Sequence, residues 1–308
     1  MKPTSKKIIY FGSGDLAAEN LKLLSDYFDF EAIITKPRKN NIQKELPVFD
    51  LAEKLNIPVF FASNRKEVDE IFDNNKFQSD TGLLIDFGII ISTKVIDCFE
   101  KGIINSHFSI LPEWRGPDPI TYTILSGQTY AGVSLMKIVE RMDEGPLLAY
   151  EEIPIDNKIN NQSLSDKLVN LSCSLLRKTL PEYIDGKIGL ISQEETGKKT
   201  SYSKIIHKTD GNIDFTLSAE LIDRKIRAFS IWPKTRIRFF DSDLIITKAS
   251  LLRSQGQPGH FFVYNNMLAF FCSKDSIIIE ELIPAGKKKM SSRDYLLGRS
   301  DLVKKISV

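Results

Sequence analysis

Asn105, His107 and Ser109 alternate along GIINSHFSI, residues 102–110. The two-residue repeat of a strand puts these three polar side chains on one side, with Ser106 and Phe108 on the other. His107 is one of three histidines in the chain, and a Pro- and Gly-containing loop, LPEWRGPDP, follows it. A lone histidine is more often a satisfied structural residue than a catalyst. An amide two residues before it and a hydroxyl two residues after it shift the reading toward chemistry. Asp143 occupies the tight turn RMDEG after the next strand pattern, where a carboxylate could reach the same sheet edge. Asn, His and Asp form a usable set for moving an acyl carbon onto an amine. The amide and the imidazolium donate hydrogen bonds to the oxyanion of a tetrahedral intermediate, while the carboxylate holds the imidazole and relays protons. None of the three is an obvious covalent nucleophile, so the attacking atom belongs to the substrate.

The elements that must position this set follow from the patterning of the first half. Strand-like runs KIIYF, FEAIIT, PVFFA, TGLLID and GIINSH alternate with helical patterns such as DLAAENLKLLSDYF and RKEVDEIFDNN. That alternation predicts an α/β domain, a doubly wound, mainly parallel sheet of Rossmann-like type. Such sheets bind ligands at the carboxyl ends of central strands, where Asn105 and His107 fall. GVSLMKIVE and PLLAYEEIPI read as two further strands, and SLSDKLVNLSCSLLRKTLPEYI as one long amphipathic helix. Ser92 is placed to cap the helix that begins beside it.

The polar stretch SQEETGKKTSYSK, residues 192–204, reads as a linker. Beyond it come one helix, LSAELIDRKIRAF, and short strand-like runs broken at DSD, SQGQPG, NN and KD. This spacing predicts a small antiparallel β-barrel, OB-like, in a second domain. The expected division is 1–188 for the transfer domain, 189–205 for the linker and 206–308 for the C-terminal domain.

Residues 201–308 hold 18 Lys and Arg against 11 Asp and Glu, a net charge of +7, which leaves −5 for the first 200. A basic half beside an acidic one suggests a polyanionic partner for the C-terminal part. Lys287, Lys288 and Lys289 would alone be a solvated loop. In this basic domain they are candidate phosphate contacts. Phe261, Phe262, Phe270 and Phe271 lie in strand patterns and are expected in the core. Cys98, Cys173 and Cys272 are far apart and lack metal-ligand spacing, so free thiols, buried or half-buried, are expected, with no metal. No apolar run reaches bilayer-spanning length, and the N-terminus lacks a small-residue cleavage site, which leads to an expectation of cytoplasmic residence without a membrane partner.

GSGDLA, residues 12–17, fits the G-x-G-x-x-A dinucleotide fingerprint and raises a nicotinamide dehydrogenase as a rival. The fingerprint also needs an acidic residue at the end of the second strand. Here that strand ends Ile34-Thr35-Lys36-Pro37, so the small residues are better explained by a tight strand-to-helix turn.

Asn105, His107, Ser109, Leu111, Pro112, Arg115 and Gly116, followed by Asp143 and Gly145, resemble the pattern N-x-H-x-S-x-L-P-x-x-R-G then D-x-G of the formyltransferases that use 10-formyltetrahydrofolate. The resemblance covers nearly the whole chain, and YSKIIHKTDGNIDFTLSAELIDRKIRAFSIWP and LIPAGKKKMSSRDYL are similar to its tRNA-directed branch. It implies formylation of the methionyl amine of initiator methionyl-tRNA, with 10-formyltetrahydrofolate as donor cosubstrate. By the same resemblance Asn105, His107 and Asp143 are catalytic. Ser109, Ile110, Leu111 and Pro112 contact the folate, and Phe87, Gly88, Ile89 and Ile90 wall the pterin pocket. Arg38, Lys39 and Lys44 fall in a loop that in the family reaches the tRNA acceptor stem and is longer and glycine-containing. Asp86 and Pro117-Asp118 stand where the family usually has small residues. The rivals are an N-formyltransferase acting on a nucleotide-linked amino sugar, and an inactive nucleic-acid-binding relative. No protein partner is implied.

Overall fold

The computed structural model describes residues 7–37 and 47–299, with Leu302 and Ile306. Two compact units emerge: residues 1–119, 130–154 and 165–204 form the first, and 120–129, 155–164 and 205–308 the second.

In chain order the elements begin with β1 (Lys7–Gly12), α1 (Asp15–Leu24), β2 (Asp29–Thr35), α2 (Pro47–Lys54), β3 (Val59–Phe61), α3 (Arg65–Asn74), β4 (Thr81–Ile85), α4 (Thr93–Ile96) and β5 (Gly102–His107). They continue through α5 (Pro119–Ser126), β6 (Tyr130–Lys137), β7 (Leu147–Pro154) and α6 (Asn161–Ile184). The seven strands form one sheet in the order β3-β2-β1-β4-β5-β6-β7. Pairings from β3 through β5 are parallel, and those of β6 with β5 and β7 are antiparallel. The doubly wound, mainly parallel reading therefore holds. Apolar runs such as Ile8–Phe11 are buried throughout, because a parallel sheet covered on both faces has no wet side. The order reverses between β1 and β4, which puts the ends of β1, β4 and β5 together at the edge where ligands enter. Ser92 caps α4 as expected, its Oγ accepting from the Val95 N–H at 3.1 Å.

The second unit contains α7 (Ala219–Ala228), β8 (Thr235–Phe239), β9 (Ser242–Leu252), β10 (Phe261–Tyr264), β11 (Met267–Phe271), β12 (Ser276–Pro284), β13 (Met290–Ser291) and α8 (Ser292–Leu297). Its sheet is antiparallel, in the order β10-β11-β12-β9-β8, with β13 also on β12. It curls like an incomplete barrel, since the rings of Phe239 on β8 and Phe261 on β10 meet at 4.8 Å across the core. Phe270 is fully buried and Phe261 packs beside it, as their strand patterns predict, while Phe262 and Phe271 stack on each other at 4.3 Å on the alternate face. Of the three thiols, Cys173 and Cys272 are buried but Cys98 is exposed, contrary to expectation, because it lies in the turn just past the short helix α4.

Candidate active site

β5 is buried along its whole length between β4 and β6, so its side chains have fixed surroundings. Asn105 and His107, two positions apart, project from one face about 6.6–6.8 Å from each other along the strand. Asn105 is 9% exposed and its side-chain amide has no hydrogen-bond partner among the described residues. The amide itself still reaches solvent, which leaves a donor for an incoming oxygen. His107 is 6% exposed and its Nε2 lies 3.0 Å from the carbonyl oxygen of Trp114. A carbonyl only accepts, so Nε2 carries the proton and Nδ1 is the nitrogen turned to Asp143, whose Oδ1 is 3.9 Å away.

Asp143 reaches His107 by a route the sequence did not suggest. β6 runs antiparallel, with Ile104 opposite Lys137 and His107 opposite Ser134. The RMDEG turn therefore starts near the beginning of β5 and folds back toward His107, rather than standing at the sheet edge. Gly145 allows the fold-back, since a Cβ there would come within 1.8 Å of the Lys137 carbonyl oxygen. The Gly116 N–H donates to Asp143 Oδ2 at 2.7 Å, fixing which oxygen is left toward the histidine.

The loop after β5 is held from two sides. Ser134 Oγ donates to the Ser109 carbonyl at 2.8 Å and accepts from the Leu111 N–H at 2.9 Å. From the other side comes the segment read as a linker. Ser201 N–H donates to the Pro112 carbonyl at 3.1 Å, Arg115 N–H to the Ser201 carbonyl at 3.0 Å, and Ser203 N–H to the Arg115 carbonyl at 2.8 Å. Thr196 Oγ1 donates to the Leu111 carbonyl at 3.0 Å. The same segment contributes Gln193, buried beneath Asp143 and Arg115. Polar composition gave no sign of this second strip of chain.

Among the residues expected around folate, the structure separates support from surface. Ser109, Ile110 and Leu111 are buried, and Ser109 Oγ donates to the Glu113 carbonyl at 2.5 Å. Phe87 turns into the core against Phe11, their centroids 5.7 Å apart. Gly88 bends the chain at φ +62°, Ile89 is half-buried, and Ile90 is 59% exposed as an open apolar surface. Asp86 is exposed as a residue yet has its carboxylate against the Gly14 backbone, where a Cβ would come 1.8 Å from Oδ2. Desolvation pushes its pKa up to about 6, opposed by Lys36 and reinforced by Asp15 and Asp118. Solvent reaches the residue and screens the charges around it. An acidic group over the first helix turn also opposes the pyrophosphate that the GSGDLA fingerprint would bind.

In the second unit, Lys287 and Lys288 are exposed on a turn closed by the Lys287 N–H and the Pro284 carbonyl at 3.0 Å. Neither has a partner among the described residues, whereas Lys289 pairs with Glu281 at 2.9 Å. Arg38, Lys39 and Lys44 lie outside the described residues. No group of three His, Cys, Asp or Glu among the described residues is arranged to hold a metal ion, and no helix there is long and apolar enough to cross a membrane.

Two solved structures share the fold. The sugar 3N-formyl transferase WlaRD, studied with dTDP and 5-N-formyl-THF, superposes with a TM-score of 0.68 at 22% identity, covering 92% of this chain and 100% of that one. HypX from Aquifex aeolicus, in complex with tetrahydrofolic acid, gives 0.67 at 13% identity over 99% of this chain, which spans 48% of HypX. Sequence relatives match end to end. The methionyl-tRNA formyltransferase of Herpetosiphon aurantiacus is 31% identical over 304 residues, 96% of this chain and 99% of the relative. That of Staphylococcus epidermidis is 30% identical over 97% of this chain and 99% of the relative. Residues 13–180 match the formyl transferase family and residues 205–300 its C-terminal domain, so this enzyme belongs to the formyl transferase family that includes the methionyl-tRNA formyltransferases.

Proposed function

We propose that this formyltransferase takes its one-carbon group from 10-formyltetrahydrofolate and places it on the methionyl amine of initiator tRNA. The observation that carries the reading is the partnerless Asn105 amide beside the His107–Asp143 pair, at the end of a central strand, in a chain whose whole length matches methionyl-tRNA formyltransferases. The folate, when bound, supplies an activated formyl carbon. The exposed Ile90 side chain and the Gly88 bend suit a flat ring, so the residues present fit such a donor.

Asn105 donates its side-chain N–H to the formyl oxygen as negative charge grows there, while the His107 Nε2–H, held by the Trp114 carbonyl, fixes the ring with Nδ1 toward Asp143. Donors fixed before the reaction gain most of their advantage because no reorganisation is needed when the charge develops. Asp143 Oδ1, without a hydrogen bond among the described residues, takes the proton the amine sheds as its nitrogen bonds the carbon. Oδ2 stays with the Gly116 N–H. Asp143 Oδ1 then gives that proton to the folate nitrogen as the bond from the formyl carbon to that nitrogen breaks, which leaves Asn105, His107 and Asp143 as they began.

For the acceptor, residues 206–308 are proposed as the tRNA-binding domain and 1–188 as the transfer domain. The free ammonium groups of Lys287 and Lys288 contact phosphates there, and Arg38, Lys39 and Lys44, which the family resemblance assigns to the acceptor-stem loop, add further positive charge. The test is incubation with 10-formyltetrahydrofolate and methionyl initiator tRNA, followed by mass spectrometry of the released aminoacyl group. Formylmethionine is expected. Unchanged methionine, alongside formylation of a nucleotide-linked amino sugar, would transfer the enzyme to the sugar class.

A further inference from the structure

Gln193 lies in a polar stretch with no periodicity, yet it is only 6% exposed and both ends of its amide are engaged. Nε2 donates to the carbonyl oxygens of Asp143 and Gly145, each at 2.8 Å. Oε1 accepts from Arg115, at 2.7 Å from Nη2 and 3.2 Å from Nε. Arg115 is followed by Gly116, whose N–H holds Asp143 Oδ2 at 2.7 Å. The hydrogen bonds close a ring running from Gln193 to Arg115, through the chain to Gly116, across to the Asp143 side chain and back to Gln193 through the Asp143 carbonyl.

We propose that Gln193 is a positioning residue for formyl transfer, setting the orientation in which Asp143 faces His107; this rests on the reading of Asn105, His107 and Asp143 as the catalytic set. Asp143 sits at φ +54°, a left-handed conformation that Asp adopts more readily than most residues but that its surroundings still help to hold. Gln193 supplies that support from beneath the turn, through the two carbonyls flanking Glu144. At the same time it anchors the arginine that places the Gly116 N–H. Without the amide donors, two carbonyls lose their partner and the turn is free to relax. The carboxylate then loses its fixed aim at Nδ1, though every catalytic side chain is still present. A misplacement of about an ångström can cost about 10²-fold in rate.

Gln193→Glu separates positioning from packing, since it keeps the shape and the acceptor toward Arg115 while removing both donors. Three quantities are read on the full chain: single-turnover transfer at saturating substrates, affinity for formyl-free tetrahydrofolate, and the thermal midpoint. The expected result is a loss of about 10- to 100-fold in the transfer rate, with tetrahydrofolate affinity within about twofold of the parent. In an Asp143→Asn background the same substitution should cost less than about threefold, because residues acting as one unit are non-additive. An unchanged rate in folded Gln193→Glu, or an equal fractional loss in both backgrounds, would overturn the proposal. Gln193→Leu, which also removes the acceptor, should lose at least as much, and a smaller loss would count against positioning. If both variants are unfolded at the assay temperature, the role is structural and the proposal falls. Transfer at the parent rate by His107→Ala or Asp143→Asn would instead refute the catalytic reading, whatever Gln193 does.

Discussion

At the β5 face, Asp143, Gly116, Arg115 and Gln193 hold one another through hydrogen bonds of 2.7–3.2 Å, whereas on the Pro284–Lys289 turn Lys287 and Lys288 carry exposed ammonium groups with no partner among the described residues. The first arrangement works through orientation, so displacing one atom matters and salt matters little, since buried groups are poorly screened. The second works through charge, so its effect is graded by the number of cations and weakened by salt. On the proposed function, chemistry in the fixed region and general phosphate attraction in the open one would separate rate from affinity.

The largest expected effect lies on the fixed side. His107→Ala and Asp143→Ala should each lower turnover by about 10²- to 10³-fold while the protein stays folded, as checked by steady-state kinetics with circular dichroism. Near-normal turnover in folded His107→Ala would remove the catalytic half of the contrast. On the open side, replacing Lys287 and Lys288 with Ala should weaken initiator and elongator tRNA alike. The log–log salt slope of binding should flatten by about 0.9 for each duplex phosphate that is no longer neutralised, or about 1.8 for both. Lys289→Ala should do less, because its ammonium is already paired with Glu281. An unchanged slope in the double variant would make the turn a solvated loop.

Asp86 belongs to neither region cleanly, which makes its pH response informative. Its carboxyl is raised from 3.8 to about 6 in the folded chain, so between those values the folded state holds more protons than the unfolded one. Its contribution to stability is therefore fully present below about pH 4 and lost as pH rises through about 6. Asp86→Asn should raise the thermal midpoint at pH 7 by about 2 °C or less, given solvent screening of an exposed group, and leave it unchanged at pH 4. A lower midpoint at pH 7 would show that Lys36 outweighs the desolvation and the carboxylates. The smallest expected signal is none: NAD and NADP should give no saturable titration in the micromolar range, because Lys36 follows β2 where the fingerprint needs a carboxylate, and Asp86 covers Gly14. Saturable binding would revive the dehydrogenase reading.

The alternation of Asn105 and His107 was legible because a strand's repeat is local, and so was the sheet class, because βα alternation leaves few topologies. The direction of β6 was not legible. Short strand patterns do not encode it, and it decided that the Asp143 turn folds back toward His107. Gln193 was invisible for another reason. Its partners are the backbone carbonyls of Asp143 and Gly145 and a guanidinium far away in the chain, and such hydrogen bonds leave no periodicity. Phe87 shows the complement: its place in the motif carries no sign of the contact it makes with Phe11 in the core.

The separation of orientation from charge is tested most directly by single-turnover transfer to methionyl initiator tRNA, with both substrates saturating, across a salt series for the parent, Asp143→Asn and the Lys287/Lys288 double alanine variant. The lysine variant should match the parent rate once saturated and differ only in the tRNA concentration needed, more so at low salt. Asp143→Asn should be slow at every salt concentration and every tRNA concentration. A lysine variant that stays slow at saturation, or an Asp143→Asn protein restored to the parent rate by more tRNA, would contradict the division.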